Sequence, residues 1–246
     1  EFDGILHAAV ADIHAAGGRS LNSSDEFIAL AANKHLTAER LRAAGVPGPK
    51  GQILEADAED LPPDFEYPAV LKPIAGAGSQ HTLLVSGPGD EPPPYPWPRR
   101  LETFHPGRAA SVALLCGAGG NYPLPPCWQR LSSDGRFNYR GGGLIREGRL
   151  AERAATLALS ALGALPPAAG YVGIDLVVGE AADGSEDVVI EVNPRLTTSY
   201  VGLRAIVQEN LAQAMLDVVA AGASPRLTHR DDPIEFSADG AVWLKR

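Results

Sequence analysis

Cysteine is nearly missing from this chain: 246 residues hold two, Cys116 and Cys127. They flank a Gly- and Pro-rich stretch without the CxxC spacing of a metal knuckle or redox motif. Free buried thiols are therefore expected rather than a disulfide, and a cytoplasmic protein with them. Long apolar runs are missing too. None approaches the roughly 20 continuous residues of a membrane span, and Glu1 and Asp3 stand where a signal peptide would carry positive charge. Basic residues are in deficit, 21 Lys plus Arg against 30 Asp plus Glu for a net charge of −9, which argues against a nucleic-acid surface. Lysine is confined to Lys34, Lys50, Lys72 and Lys245. There is no internal repeat and no Walker sequence, and His7, His14, His35, His81, His105 and His229 are scattered outside any general-base motif. What remains is 45% hydrophobic, enough core for one large domain or two small ones.

The most informative segment is Glu191-Val-Asn193-Pro-Arg195, with Asp175 upstream in Gly173-Ile-Asp-Leu-Val-Val178. Val172, Ile174, Leu176 and Val178 share one face, and Asp183-Gly184-Ser185 supplies a turn, so an antiparallel hairpin is predicted. In it Asp175 and Glu191 lie side by side and Asn193 points the same way as Glu191. Two carboxylates and an amide form an all-oxygen set suited to Mg²⁺, or to Mn²⁺, hard cations that share their sites with substrate phosphates. A lone carboxylate at a hairpin edge is more often a solvated charge. Three oxygen ligands followed at once by Arg195 favour the metal reading.

The pattern predicts helices over 5–16, with Leu6, Val10 and Ile13 on one side, and from Ser23 or Ser24 to Leu30. Another runs from Asn33 to Gly45, with Leu36, Arg40 and Leu41 facing inward. Two more are expected over 149–162 and 202–221, the latter with Leu203, Val207, Leu211, Ala214 and Val218 on one stripe. Strands are expected at 51–54, 69–72, 82–85, 101–104 and 110–116, and a hairpin pairs 127–131 with 136–140. The proline-rich 87–98 reads as a surface loop. Turns too short for parallel crossovers predict an α+β architecture with antiparallel sheets rather than a Rossmann fold.

Lys72 ends an apolar strand just ahead of Gly76-Ala77-Gly78-Ser79. Glycines let backbone N–H groups approach an anion, Ser79 adds a donor, and the ammonium is a compact charge for a phosphate. Lys34 opens a helix, where its charge opposes the macrodipole; a second phosphate contact and an exposed lysine are the two readings.

Taken in order, five segments resemble the ATP-grasp superfamily of carboxylate–amine ligases. They are Asn33-Lys34 with the helix ending at Gly45-Val46-Pro47, Val70-Leu-Lys72-Pro with Gly76-Ala-Gly-Ser79, Leu101-Glu102-Thr-Phe-His-Pro-Gly107, Gly173-Ile-Asp175, and Glu191-Val-Asn193-Pro-Arg195. The resemblance implies two α+β subdomains with antiparallel sheets that clamp ATP. The small one would cover 33–104 and the large one, with the metal site, 105–246. Residues 1–32 would be a trimmed or reduced remnant of an N-terminal α/β domain. It further implies Lys34 and Lys72 on ATP phosphates, Gly76, Ala77, Gly78 and Ser79 as a mobile lid, and Glu102, Thr103 and Phe104 as the hinge that meets adenine. Asp175, Glu191 and Asn193 would hold Mg²⁺, and Arg195 would face the transferred phosphoryl group, so that Lys72, Asn193 and Arg195 carry the catalysis. Many members place an acid after the hinge glycine to bind ribose; here Arg108, Ala109 and Ala110 follow Gly107, which leaves the ribose partner open.

Phe137-Asn-Tyr139-Arg-Gly-Gly142 and Asn193-Pro-Arg-Leu-Thr-Thr-Ser-Tyr200 are similar to the tyramine–L-glutamate ligase group of methanofuran biosynthesis, packing being the alternative for Tyr139 and Tyr200. The implied partners are a small-molecule carboxylate and an amine, with a homodimer as the candidate assembly. An acidic substrate agrees with Arg140, Arg146 and Arg204, although arginines on strands and helix ends are usually solvated. Two other functions are open at this stage: a nucleotide-binding or regulatory module without ligation, and a metal-dependent phosphohydrolase.

Overall fold

The computed structural model describes residues 4–56, 58, 60–230 and 232–244; Glu1, Asp3 and Lys245 lie outside them. Three helices open the chain. The first, α1 (Ile5–Ala15), buries only Val10, leaving Leu6 half-buried and Ile13 exposed. The second, α2 (Asp25–Ala32), starts where the Ser24 side chain accepts from the Phe27 N–H, and the third, α3 (Lys34–Ala43), where Asn33 accepts from Leu36. These are the cap residues that the sequence offered. Leu36 and Arg40 are exposed rather than inward; the buried face of α3 runs instead through Thr37 and Leu41, four residues apart.

A four-stranded antiparallel sheet follows, built from β1 (Gly51–Leu54), β2 (Ala69–Pro73), β3 (Leu83–Val85) and β4 (Arg99–Thr103) in the order β1-β4-β2-β3. Leu54, Leu61, Ala69, Leu71, Val85 and Leu101 form its own small core. The proline-rich stretch ahead of Arg99 carries no strand.

The second sheet is larger. It holds β5 (Arg108–Gly117), β6 (Gly120–Pro123), β7 (Cys127–Leu131), β8 (Tyr139–Leu144), β9 (Gly170–Val178), β10 (Val188–Asn193), β11 (Ile234–Ser237) and β12 (Val242–Leu244). The order is β10-β9-β5-β7-β8-β11-β12, with β6 folded back on β5, and every pairing is antiparallel. One face carries α4 (Gly148–Gly163) on Val112, Leu114, Val172, Ile174 and Leu176. Phe27 and Ala31 of α2 and Leu41 of α3 join that same core, so α3 packs with the large sheet although it precedes the small one in sequence. The other face packs α5 (Ser199–Ile206) and α6 (Leu211–Ala221) over Ala113, Leu115, Tyr171 and Phe236.

The single helix expected over 202–221 is thus two. Val207 leaves the helix to bridge His229, and Asn210 caps α6 by accepting from Ala212 and Gln213, while the five apolar residues of the predicted stripe are all buried. In the β7–β8 hairpin the second strand begins at Tyr139 rather than Arg136. Asp134 accepts from Arg136, and Ser132 pairs with Asn138, which lengthens the turn. The strands β6, β11 and β12 were not expected. Cys116 and Cys127 are free and buried, and burial pushes both thiols up to about 12. Among the described residues no helix is long and apolar enough to cross a membrane.

Candidate functional site

The two sheets face each other across a cleft of about 880 Å³. The chain passes between them at His105, Pro106 and Gly107. Gly107 has φ +145°, and a Cβ there would stand 2.6 Å from the Val178 carbonyl, so only glycine permits this close approach to β9.

On the large-sheet wall, β9 and β10 bring Asp175 opposite Glu191. The register slips by one residue at Ile190, a bulge that puts Val189 and Val192 into the core and leaves Glu191 facing the cleft with Asp175. The hairpin is pinned at its far end. Asp187 accepts two bonds from Arg153, at 2.6 and 2.9 Å, and one from the Gly179 N–H. Asn193 donates to Asp175 Oδ2 at 3.0 Å and turns its Oδ1 to Arg195, at 3.3 Å; Gln129 on β7 donates to Asp175 Oδ1 at 2.8 Å. Burial first, and then the charge of Glu191, push Asp175 up to about 7 against the opposing pull of those two amide bonds.

Two carboxylates held this close with an amide beside them form a donor set that suits a hard divalent ion. A cation between them would relieve the repulsion that raises Asp175, so the residues present fit Mg²⁺. Among the described residues no group of three or more His, Cys, Asp or Glu converges anywhere, and the amide oxygen beside the two carboxylates, that of Asn193, here accepts from Arg195.

The other wall is basic. Lys72, next to last in β2, is buried, its ammonium 2.5 Å from Glu102, while Arg100 reaches the second oxygen of the same carboxylate at 2.9 Å. Glu102 therefore turns its side chain to Lys72, and only Thr103 and Phe104 continue toward the other sheet. Their N–H groups are taken by Lys50 and Pro68. Lys34 lies at the edge between the walls, 3.1 Å from Glu191 and donating to the Gly76 carbonyl at 2.5 Å. Glu191 thus supplies the counter-charge that the helix start denies to Lys34. Gly76, Ala77, Gly78 and Ser79 line the cleft in a loop with positive φ at Gly76, Gly78 and Ser79.

The cleft also gathers Gln129 and Arg130, which the sequence did not single out, together with Thr197, Thr198 and Phe137 of the two quoted segments, the Phe137 ring stacking on Phe104 at 6.3 Å. The signal for Gln129 and Arg130 was absent because nothing in a strand such as Cys127–Leu131 separates a cleft-facing residue from a solvated one. Tyr139 and Tyr200 both pack against the α5–α6 core, and Tyr139 lines the cleft as well. Arg140, Arg146 and Arg204 are exposed and none lines the cleft. Just after Gly107, the Arg108 guanidinium lies 3.6 Å over the Trp128 ring.

Residues 31–199, more than half of the chain, match the ATP-grasp domain family. The chain belongs to the ATP-grasp family. A curated relative, the tyramine–L-glutamate ligase of Methanocaldococcus fervens, is 29% identical over 147 residues, covering 60% of this chain and 43% of the relative. Among solved ATP-grasp structures, biotin carboxylase from Campylobacter jejuni superposes with a TM-score of 0.77 at 18% identity, over 93% of this chain and 55% of that one. The L-amino acid ligase from Bacillus licheniformis gives 0.69 at 18% identity, over 87% and 53%. These likenesses establish the fold, and this chain spans less than two thirds of the length of each of the three relatives.

Proposed function

We propose that this chain carries the core of an ATP-dependent carboxylate–amine ligase that works through an acyl phosphate. One observation carries the reading: a single cleft has Lys72 and the glycine loop on one side, Asp175, Glu191, Asn193 and Arg195 on the other, and Lys34 bridging the two at its edge. A cleft of about 880 Å³ is the size of pocket that takes a nucleotide-sized ligand.

In the proposed reaction a substrate carboxylate oxygen attacks the γ-phosphorus of ATP, the bond to the β-phosphate oxygen breaks, and ADP leaves. The amine nitrogen then attacks the acyl carbon, phosphate departs with the acyl C–O electron pair, and the amine proton passes to solvent or phosphate. Lys72 and Arg195 hold phosphate oxygens, the loop from Gly76 to Ser79 covers them, and Asp175, Glu191 and Asn193 hold Mg²⁺. Mg²⁺, when bound, would offset negative charge on the phosphates. No side chain serves as nucleophile. Rate enhancement comes from positioning, from fixed charge and from keeping water off the acyl phosphate.

Glutamate as the acid and tyramine or tyrosine as the amine form the first pair to test, a choice supported by the curated relative. The test is a coupled ADP-release screen of paired acids and amines. ADP formation that needs both partners supports ligation. Nucleotide binding without turnover over a broad panel favours a non-catalytic module, and phosphate release without an amine favours a hydrolase.

A further inference from the structure

Across the β2–β4 ladder, Lys72 stands directly opposite Arg100, and both are buried. Two like charges facing each other on one sheet face repel. Glu102, two residues along β4 and so on the same face, divides its carboxylate between them: Oε1 lies 2.5 Å from the Lys72 ammonium and Oε2 accepts from Arg100 Nε at 2.9 Å. Arg100 is fixed from behind, donating to the Pro49 carbonyl at 3.0 Å and contacting His35 Nδ1 at 2.8 Å. Its guanidinium fills the space over Gly51, where a Cβ would come within 2.6 Å of Cζ. Because His35 Nδ1 accepts from a guanidinium, the ring is neutral, and burial and the Arg100 charge both lower its pKa. The buried trio of Lys72, Arg100 and Glu102 therefore carries one net positive charge. Lys72 and Glu102 line the cleft, while Arg100 does not.

We propose that Arg100 is a positioning residue that acts as an electrostatic counterweight: by engaging half of Glu102, it keeps the Lys72 ammonium from being neutralised and leaves it free to bind an anion in the cleft. Without Arg100, the 2.5 Å Lys72–Glu102 pair would present no net charge to a phosphate. This inference deepens the nucleotide-site reading above and rests on it for the identity of the anion.

The test titrates MgADP by calorimetry into the wild type, Arg100→Met, Glu102→Gln and the double variant, with melting curves to confirm folding. The formal charge of the trio is then +1, 0, +2 and +1 in turn. Expected are a loss of affinity of about tenfold or more in Arg100→Met, affinity at least equal to wild type in Glu102→Gln, and a return to within about threefold of wild type in the double variant. A merely structural role for Arg100 predicts the opposite for the double variant, which loses both hydrogen-bonding groups. Wild-type affinity in Arg100→Met, or a double variant no better than it, overturns the proposal. Should Arg100→Met fail to fold, weakened binding in Glu102→Gln overturns it. If the wild type binds no nucleotide, the ligase reading fails separately, and the counterweight is judged by the ¹⁵N-lysine ammonium signal of Lys72, assigned through its loss in Lys72→Met. A shifted or exchange-broadened signal in Arg100→Met supports it, and an unchanged signal overturns it.

Discussion

Asp175 and Glu191 face each other in register across the β9–β10 ladder, two carboxylates on the cleft side of a hairpin whose opposite face is core. Like charges in this position repel, and the protein holds them there through bonds made elsewhere, from Gln129, Asn193 and Lys34. A fold that maintains such a pair stores a demand for positive charge.

The first prediction follows from the sign of the Asp175 shift. Its folded value, about 7, lies above the ordinary aspartate value of 3.8, so the folded protein holds this proton more tightly than the unfolded chain. The stabilising contribution is fully present below the unfolded value and disappears as pH rises through about 7. Metal-free protein should lose on the order of 3 kcal/mol of stability between pH 4 and pH 8 from this group, and Asp175→Asn should lose none of it. Mg²⁺ should restore stability at pH 8 and do little at pH 5. Denaturant melts of both proteins across that range check the point, and a wild type that tracks Asp175→Asn at every pH refutes it.

Lys34 ties the loop that starts at Gly76 to Glu191 through one ammonium. Lys34→Met removes both bonds and leaves Asp175 and Glu191 with one cation fewer. Turnover at saturating Mg²⁺ should fall by about tenfold or more, the scale of a lost charge-assisted contact. Protease nicking within 75–80 should quicken in parallel. Wild-type turnover together with wild-type nicking would show that Lys34 anchors nothing.

Much of this architecture was legible in the chain. Ser24, Asn33, Gly45 and Pro47 bound α2 and α3 by local chemistry alone, and alternation in Val172–Val178 identified both the β9 face that is buried and the one that carries Asp175. What escaped was set by distant contacts. The stripe over 203–218 is continuous in apolar character, yet Val207 takes a bridge to His229 and breaks the helix. Arg100 was invisible as part of the site because a buried arginine two residues before a glutamate has no local signature; its role depends on Lys72 of another strand. The bulge at Ile190 likewise preserves the Asp175–Glu191 match while shifting the phase of every residue before it.

The passage between the sheets gives a prediction about backbone. Gly107→Ala places a methyl 2.6 Å from the Val178 carbonyl at φ +145°, where side chains rarely fit. The cost should be on the order of 2 kcal/mol, and because the strain sits where the two sheets join, KM for ATP should rise as well. Thermal melts and ATP titrations of the variant read the two effects separately. An unchanged melting temperature would mean that the linker has freedom the close contact denies.

The last prediction concerns the end of the hairpin away from the cleft. Arg153 grips both oxygens of the buried Asp187, which also accepts from Gly179, so the turn between β9 and β10 is closed by one ion pair. Removing the cation leaves a buried carboxylate with a single backbone donor, and breaking a pair of this kind costs about 3 kcal/mol. Burial beside Gly179 makes the loss greater than for a solvent-screened pair such as Arg42–Glu39. Neither Arg153 nor Asp187 lines the cleft. Arg153→Ala should therefore lower the melting temperature and speed amide exchange in β9 and β10, while Arg42→Ala does neither. The double change Arg153→Met with Asp187→Leu, which removes the unpaired charge, should recover most of the stability. Because the register that aligns Asp175 with Glu191 is held from this end, Mg²⁺ affinity should weaken in Arg153→Ala and return in the double variant. A fall in Mg²⁺ affinity that persists in the fully stable double variant would place the control of register elsewhere, in the bulge at Ile190.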